Sequence, residues 1–389
     1  MSAARRSTSD PYRSAPARAF WSRAVARGWT PEAAYSGPMP LIRPGERVAS
    51  AGSCFAANVV PYLEGAGFAY VRTEPAHPLF GDIEPEPFGY SKFSAAYGNV
   101  YTARQMLQLV QRSTGAFSPA EDRWEDEDGL VDPFRPGLRY RARSARELEL
   151  LRAQHLARTR EALAAADVFV FTLGLTEAWL SREDGAVFPA CPGTVAGTFD
   201  PDRHVFHNFT TGEVADDLAA LAAALRAVNP AIRLIFTVSP VPLVATATGR
   251  HVLEATTYSK SVLRAAAGEA ADALPDVVYF PAYEIVTGPQ APDGFFEPDR
   301  RNVSEAGIQA VMAALLKACG AALPGGLASP AAPAARDAAA LLSGALGDAE
   351  CEEAMADRQA SPPAPDPTRR RWFEHMLDAT VRTALGRAR

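Results

Sequence analysis

Short runs of consecutive apolar residues punctuate the chain at 47–51, 167–173, 233–238 and 277–280. Between and after them lie stretches with helical patterning at 55–64, 102–112, 144–166, 213–228, 257–273 and 304–318. A strand that is apolar throughout is covered on both faces, and strands alternating with helices of this length predict an α/β domain with a parallel sheet between two helical layers. Boundary signals agree: Thr102 is placed to cap the helix that follows it, and Asn229-Pro230 closes a helix just before the strand at 233–238.

In an open sheet of this type ligands bind beyond the carboxyl ends of the strands. Three polar segments fall there: Ser53-Cys54 after the first strand, Gly174-Leu175-Thr176-Glu177 after the second apolar run, and Ser239-Pro240 after the third. Cys54 stands where strand turns into helix. The first-turn amides lack intrahelical acceptors and the helix dipole favours negative charge, so a thiolate or an oxyanion is stabilised at that junction. The competing expectation is a buried cysteine acting as a small hydrophobe. Ser53 is a second candidate nucleophile, although it needs a histidine base to act; as a helix N-cap it needs only its hydroxyl oxygen aimed at backbone N–H groups.

Composition narrows the function classes. The 389-residue chain carries a net charge of −6 and a pI near 5.6, with no basic stripe of the kind nucleic acid requires. Four cysteines, Cys54, Cys191, Cys319 and Cys351, are too scattered for a disulfide framework and form no metal-binding pair. No Gly-rich phosphate loop and no tight His/Cys cluster occurs, so neither a cofactor nor a metal is expected. The arginines near the N-terminus precede no apolar core of a signal peptide, and no run approaches the length of a membrane span, which predicts a cytoplasmic protein. Residues 1–40 read as an arm with packing aromatics Phe20, Trp21 and Trp29, 41–320 as the domain, 321–366 as an Ala/Pro-rich linker, and 367–389 as an amphipathic tail. The tail suits docking on the body or on a second copy of the chain, giving a homo-oligomer; contact with a membrane surface is the alternative.

Several segments carry a family resemblance. Gly52-Ser53-Cys54-Phe55-Ala56, Tyr97-Gly98-Asn99-Val100-Tyr101-Thr102, Phe171-Thr172-Leu173-Gly174-Leu175-Thr176-Glu177-Ala178-Trp179 and Thr237-Val238-Ser239-Pro240-Val241-Pro242 resemble the GSCFA family, which is usually placed with the SGNH, or GDSL-like, hydrolases. Tyr258-Ser259-Lys260-Ser261 and Tyr279-Phe280-Pro281-Ala282-Tyr283-Glu284 extend the match. The resemblance implies a three-layer α/β/α sandwich with flavodoxin-like winding and a nucleophile at Cys54. It also implies an oxyanion hole near Gly98, Asn99, Gly174 and Thr176, with Glu177 orienting a histidine or holding a substrate hydroxyl. The Asp-x-x-His block of SGNH enzymes falls on Asp299-Arg300-Arg301-Asn302, where asparagine replaces the base. An amide positions but takes no proton.

The base must then come from elsewhere. Among His77, His155, His204, His207, His251 and His375, the best placed is His251, in a segment returning over the active edge; His207 is second, while His155 and His375 read as structural or solvated. Lys260 and Arg264, one helical turn apart, are candidates for holding an anionic substrate group or for a solvated helix face. The expectation is therefore an ester hydrolase acting through a covalent Cys54 intermediate, with carbohydrate esters as the substrate class the resemblance suggests. An acyltransferase and a catalytically silent binding protein are the alternatives.

Overall fold

The computed structural model describes residues 10, 12–75, 89, 90 and 92–322. Five parallel strands form the central sheet: β1 (Arg47–Gly52), β2 (Ala69–Tyr70), β5 (Val168–Leu173), β9 (Arg233–Val238) and β10 (Val277–Tyr279). Their spatial order is β10-β9-β5-β1-β2. In chain order this is the 2-1-3-4-5 flavodoxin-like arrangement, whose winding reverses between β1 and β5. The register sets Ala51 beside Phe171 and Gly52 beside Thr172, so both strands end together.

Side chains alternate between the two faces, as the pleat requires. Ala49, Ala51, Phe169, Phe171, Leu234 and Phe236 enter one core. Val48, Val168, Val170 and Ile235 enter the other. The first core is covered by α4 (Ala103–Thr114), α5 (Ala145–Ala165), α6 (Thr211–Val228) and α7 (Val252–Ala273). The second is covered by α3 (Val59–Gly65), α8 (Ala282–Thr287) and α9 (Glu305–Ala318), with Leu41 and Ile42 beneath them. The three-layer sandwich follows directly from strands apolar on both sides. Phe169, Phe171 and Phe236 are completely buried, and each contributes roughly 1.5–3 kcal/mol through transfer from water.

Helix starts follow the expected capping. Thr102 Oγ1 accepts from the Gln105 amide at 3.1 Å, Ser144 from Glu147 and Ser304 from Gly307, each at 3.2 Å. The helix expected at 55–64 differs: a single turn, α2 (Cys54–Ala57), is followed by α3. α7 begins five residues earlier than the pattern suggested, at Val252. Two small sheets decorate the frame, the hairpin β3 (Trp124–Asp126) with β4 (Gly129–Val131), and an antiparallel trio of β6 (Glu177–Ser181), β7 (Val187–Phe188) and β8 (His204–Asn208) inserted between β5 and α6. In the N-terminal segment, with its short helix α1 (Trp21–Ala24), Trp29 and Tyr35 pack on the second core, whereas Trp21 is exposed. The linker and the amphipathic tail lie outside the described residues.

Candidate functional site

The cleft begins with Gly52. Its φ is +153°, and a Cβ there would come within 2.6 Å of Ala56 Cβ and 2.8 Å of the Thr172 carbonyl oxygen. Only glycine lets β1 turn into α2 this close to β5. The turn delivers Ser53 and Cys54 to a cleft of about 280 Å3 at the winding reversal, lined also by Tyr101, Gly174, Ser239 and Arg301. Leu175, Val241, Pro242 and Leu243 form its apolar wall.

Backbone hydrogen bonds and committed side chains hold this lining. The Tyr101 carbonyl accepts from the amides of Gly174 at 2.9 Å and Leu175 at 3.2 Å, and a Cβ on Gly174 would stand 3.1 Å from that oxygen. Gln105, buried on α4, clasps the same segment: Oε1 accepts from the Tyr101 N–H at 2.8 Å and Nε2 donates to the Asn99 carbonyl at 2.9 Å. The Val100 amide donates to the Gly52 carbonyl at 2.8 Å, tying the segment to β1. Ser239 is fixed through its amide on the Leu173 carbonyl at 2.8 Å, and its hydroxyl accepts from the Val241 amide at 3.3 Å.

Arg301 reaches the cleft through a tight turn. Asp299 Oδ1 accepts from the amides of Arg301 and Asn302 at 2.9 and 3.0 Å, and Oδ2 accepts from Asn302 Nδ2 at 2.6 Å. Arg300 adopts φ +57°, which swings the chain so that the guanidinium side chain, one position before the asparagine, lines the cleft. Asn302 spends its side chain on Asp299, and its neighbour Arg301 is the residue of this block that lines the cleft.

Other expectations are revised by specific contacts. Ser53 occupies the N-cap position, but its side chain makes no capping hydrogen bond; it is a cleft residue. Thr176 is fully buried, donating from its hydroxyl to Asn208 Oδ1 at 2.6 Å and from its amide to Ser259 Oγ at 3.0 Å. It is therefore no oxyanion donor. Gly174 lines the cleft, with its amide spent on Tyr101. Asn99 is buried behind the lining, in the segment that Gly98 turns at φ +68°, and Tyr101 of the same block, also buried, is the one that lines the cleft. Glu177 accepts from Thr246 Oγ1 at 2.6 Å and the Ala247 amide at 3.1 Å, so it anchors the loop that carries Val241–Leu243 over the cleft. Lys260 is 2% exposed, with Nζ donating to the Gly174 carbonyl, and Arg264 is paired with Glu284 over the Tyr279 ring. Neither presents a charge to a substrate at the cleft.

His251 caps α7: its Nδ1 accepts from the Leu253 amide at 3.1 Å. That bond engages Nδ1 as the helix cap on the exposed ring. It does not line the cleft, although its neighbour Val252 packs on Tyr101, Leu175 and Leu243. His207 Nε2 is bonded to Glu213 and His204 Nε2 to Glu121. His155, expected to be structural or solvated, is structural: it is 1% exposed and bonded to Glu74. His77 and His375 lie outside the described residues.

None of the three described cysteines forms a disulfide. Burial pushes the Cys191 and Cys319 thiols up to about 11, which keeps both protonated at neutral pH. Among the described residues no group of His, Cys, Asp and Glu is arranged for a metal ion, and no helix is long and apolar enough to cross a membrane. Sequence reasoning missed Tyr101 and Arg301 as cleft residues. Tyr101 lay inside a quoted motif, and Arg301 inside the Asp-x-x-His block, one position from the residue singled out.

Comparison with known proteins adds one family and one distant structure. The solved structure of a Streptococcus pneumonia protein provisionally named a platelet activating factor shares 16% identity with this chain. The match covers 40% of this chain and 60% of that one at a TM-score of 0.25, too low to carry argument. No curated protein matches. The GSCFA family model matches residues 47–315, a span that runs from β1 to α9 and contains every described residue of the cleft. The chain belongs to the GSCFA family.

Proposed function

We propose that the Cys54 cleft carries out acyl chemistry on an ester in the manner of SGNH, or GDSL-like, hydrolases, with a thiol in place of their serine. The observation that carries this reading is the convergence of Ser53, Cys54, Gly174, Ser239 and Arg301 on one cleft at the winding reversal of the sheet. In the reaction, the Cys54 thiol loses its proton to solvent and the thiolate sulfur bonds to the ester carbonyl carbon as the π pair moves onto oxygen. Re-formation of the carbonyl breaks the C–O bond, and the departing alkoxide takes a proton from water. Water, or an acceptor hydroxyl, then attacks the thioester carbon, its proton passing to the hydroxide left when the alkoxide was protonated, and the C–S bond breaks to restore the thiolate.

Arg301 is permanently protonated and supplies positive potential in the cleft, which favours both the thiolate and the oxyanion. It cannot act as base. Among the described residues of the lining no histidine or carboxylate is available for that task, which favours a second reading, transfer to an acceptor that is itself a good nucleophile. Carbohydrate esters as substrates rest on superfamily analogy.

The test is incubation with p-nitrophenyl acetate, quenching and peptide mapping. An acyl adduct on the Cys54 peptide is expected, with release of nitrophenol lowered by at least about 10³-fold in Cys54→Ala, the scale of losing a covalent nucleophile. An unchanged rate in Cys54→Ala, or an adduct on Ser53, overturns the assignment. Adding hydroxylamine or a thiol acceptor separates transfer from hydrolysis.

A further inference from the structure

On the far side of Gln105 from the cleft lies a second, small cavity, between α4, α5 and the loop at 132–135. It is lined by Tyr97, Gln105, Gln108, Arg112, Arg135 and His155. Almost every polar group on it is already committed. Gln105 holds Tyr101 and Asn99. Gln108 donates to the Gly185 carbonyl and accepts from the Val187 amide, both at 2.8 Å. Arg135 donates from Nε to Asp132 Oδ2 and from Nη1 to the Ala96 carbonyl, both at 3.0 Å. His155 Nδ1 lies 2.8 Å from Glu74 Oε2, which also accepts from the Ala96 amide.

Arg112 is the exception. It is 7% exposed, its guanidinium rests 3.8 Å from the centroid of Phe134, and its Nη2 is buried with no hydrogen-bond partner among the described residues. The nearest carboxylate oxygen, Asp132 Oδ1, is 3.9 Å away and already accepts from the Phe134 amide. A desolvated cation keeps its charge only where other groups replace the lost water. A ring face is a partial replacement.

Burial alone raises a carboxyl, yet Arg135 and Arg112 hold Asp132 well below the usual carboxylate range. Burial lowers His155 to about 4, with Arg135 adding to the effect against Glu74 and Asp132, so the imidazole is neutral at pH 7. Arg112 is itself lowered to about 10, by burial first and then by Arg135 and Arg152, against the pull of Asp132. Burial is the first cause of the His155 and Arg112 shifts, and at Asp132 the two arginines override it to keep the carboxylate ionised. Of the two carboxylates facing the cluster, Asp132 is spent on Arg135 and Glu74 on His155 and the Ala96 amide.

We propose that this cavity is a buried binding site for a small monovalent anion, of halide or formate size, with the Arg112 guanidinium as its principal donor. The anion would sit behind the 97–101 segment, which Gln105 fastens to the cleft and which Tyr97 fastens to β1 by donating its hydroxyl to the Ser50 carbonyl. Occupancy therefore stiffens the wall that presents Tyr101.

The test uses the full chain, transferred to sodium chloride, sodium bromide or sodium gluconate at matched ionic strength, gluconate being too large to enter. A saturable rise in melting temperature of about 2–4 °C is expected in both halides, the range for a ligand at several times its dissociation constant in a domain of this size. The rise should vanish in Arg112→Met. Bromide-soaked crystals of the wild-type protein should show an anomalous peak within hydrogen-bond reach of Arg112. Equal melting temperatures in all three salts, a halide effect that survives Arg112→Met, or water without anomalous signal at the site would each overturn the proposal. The bromide measurement decides the matter even where the variant fails to fold.

Discussion

Two polar regions lie either side of α4, and they are built on opposite principles. At the Cys54 cleft, the backbone is tied down by its own hydrogen bonds, and small side chains and one guanidinium side chain line the space. In the cluster of Glu74, Asp132, Arg135 and His155 the side chains are tied to one another and to backbone, beside the second cavity. The contrast separates reactivity from stability. A group aimed into a cleft can meet a substrate, whereas a group whose lone pairs and protons are matched by neighbours holds the fold and resists disturbance. Cys54 belongs to the first kind; Asp132, accepting from Arg135 and from the Phe134 amide, belongs to the second.

The sharpest way to break this division is Asp132→Ala. Removing one partner of a buried ion pair leaves Arg135 uncompensated beside Arg112, and the expected loss of stability is about 3–5 kcal/mol. Urea unfolding monitored by circular dichroism would measure it. Alkylation of Cys54 under native conditions should stay within about threefold of wild type, because a change in a factor of three is under 1 kcal/mol at the cleft. A variant of normal stability but altered Cys54 labelling would show that the two regions are one functional unit.

Acid provides the next test, and its sign is determined by His155. The folded value is about 4 against an ordinary value near 6.5. The unfolded chain therefore binds the proton first, and the stability contributed by a neutral His155 is complete above about pH 6.5 and lost as pH falls toward 4. The gap corresponds to something on the order of 3 kcal/mol. Glu74 is also lowered and Asp132 more so, so further loss follows at still lower pH as these carboxylates protonate. Urea midpoints at pH 7.5, 5.5 and 4.5 should fall in that order, and the slope between the first two should flatten in His155→Gln. A pH-independent midpoint would mean that His155 is solvated after all.

How much of this could be read in the chain follows from what each signal depends on. The strands and their two-faced burial are local properties of apolar runs, and the 2-1-3-4-5 order placed Cys54, Gly174 and Ser239 together as strand ends must. Thr102, Ser144 and Ser304 cap helices because their spacing to the first-turn amides is set by the helix itself. Side-chain direction beyond a strand end is different: it depends on one or two torsions. Arg300 at positive φ decides that Arg301 rather than Asn302 enters the cleft, and no apolar pattern encodes that rotation. Lys260 and His155 sit in helices of ordinary polar appearance, and only the tertiary partners, the Gly174 carbonyl and Glu74, make their burial tolerable. His251 fell short for a local reason: a residue just before a helix is recruited as its cap.

The smallest expected effect makes the finest distinction, because it compares two hydroxyls at helix starts. Thr102 caps α4 by accepting a hydrogen bond from the Gln105 amide, and Thr102→Ala should cost about 1 kcal/mol. Ser53 precedes α2 without such a bond, and α2 is a single turn with little dipole to protect. Ser53→Ala should therefore cost less than about 0.5 kcal/mol, the scale of a substitution away from caps and cores. If Cys54 is the nucleophile, Ser53→Ala should also retain most of the p-nitrophenyl acetate turnover, with any loss coming from repacking of the cleft mouth. Thermal melts and turnover on the same two variants decide the question together. A Ser53→Ala protein of wild-type stability and no turnover would transfer the nucleophile to the hydroxyl, leaving Cys54 as its packed neighbour in the same cleft.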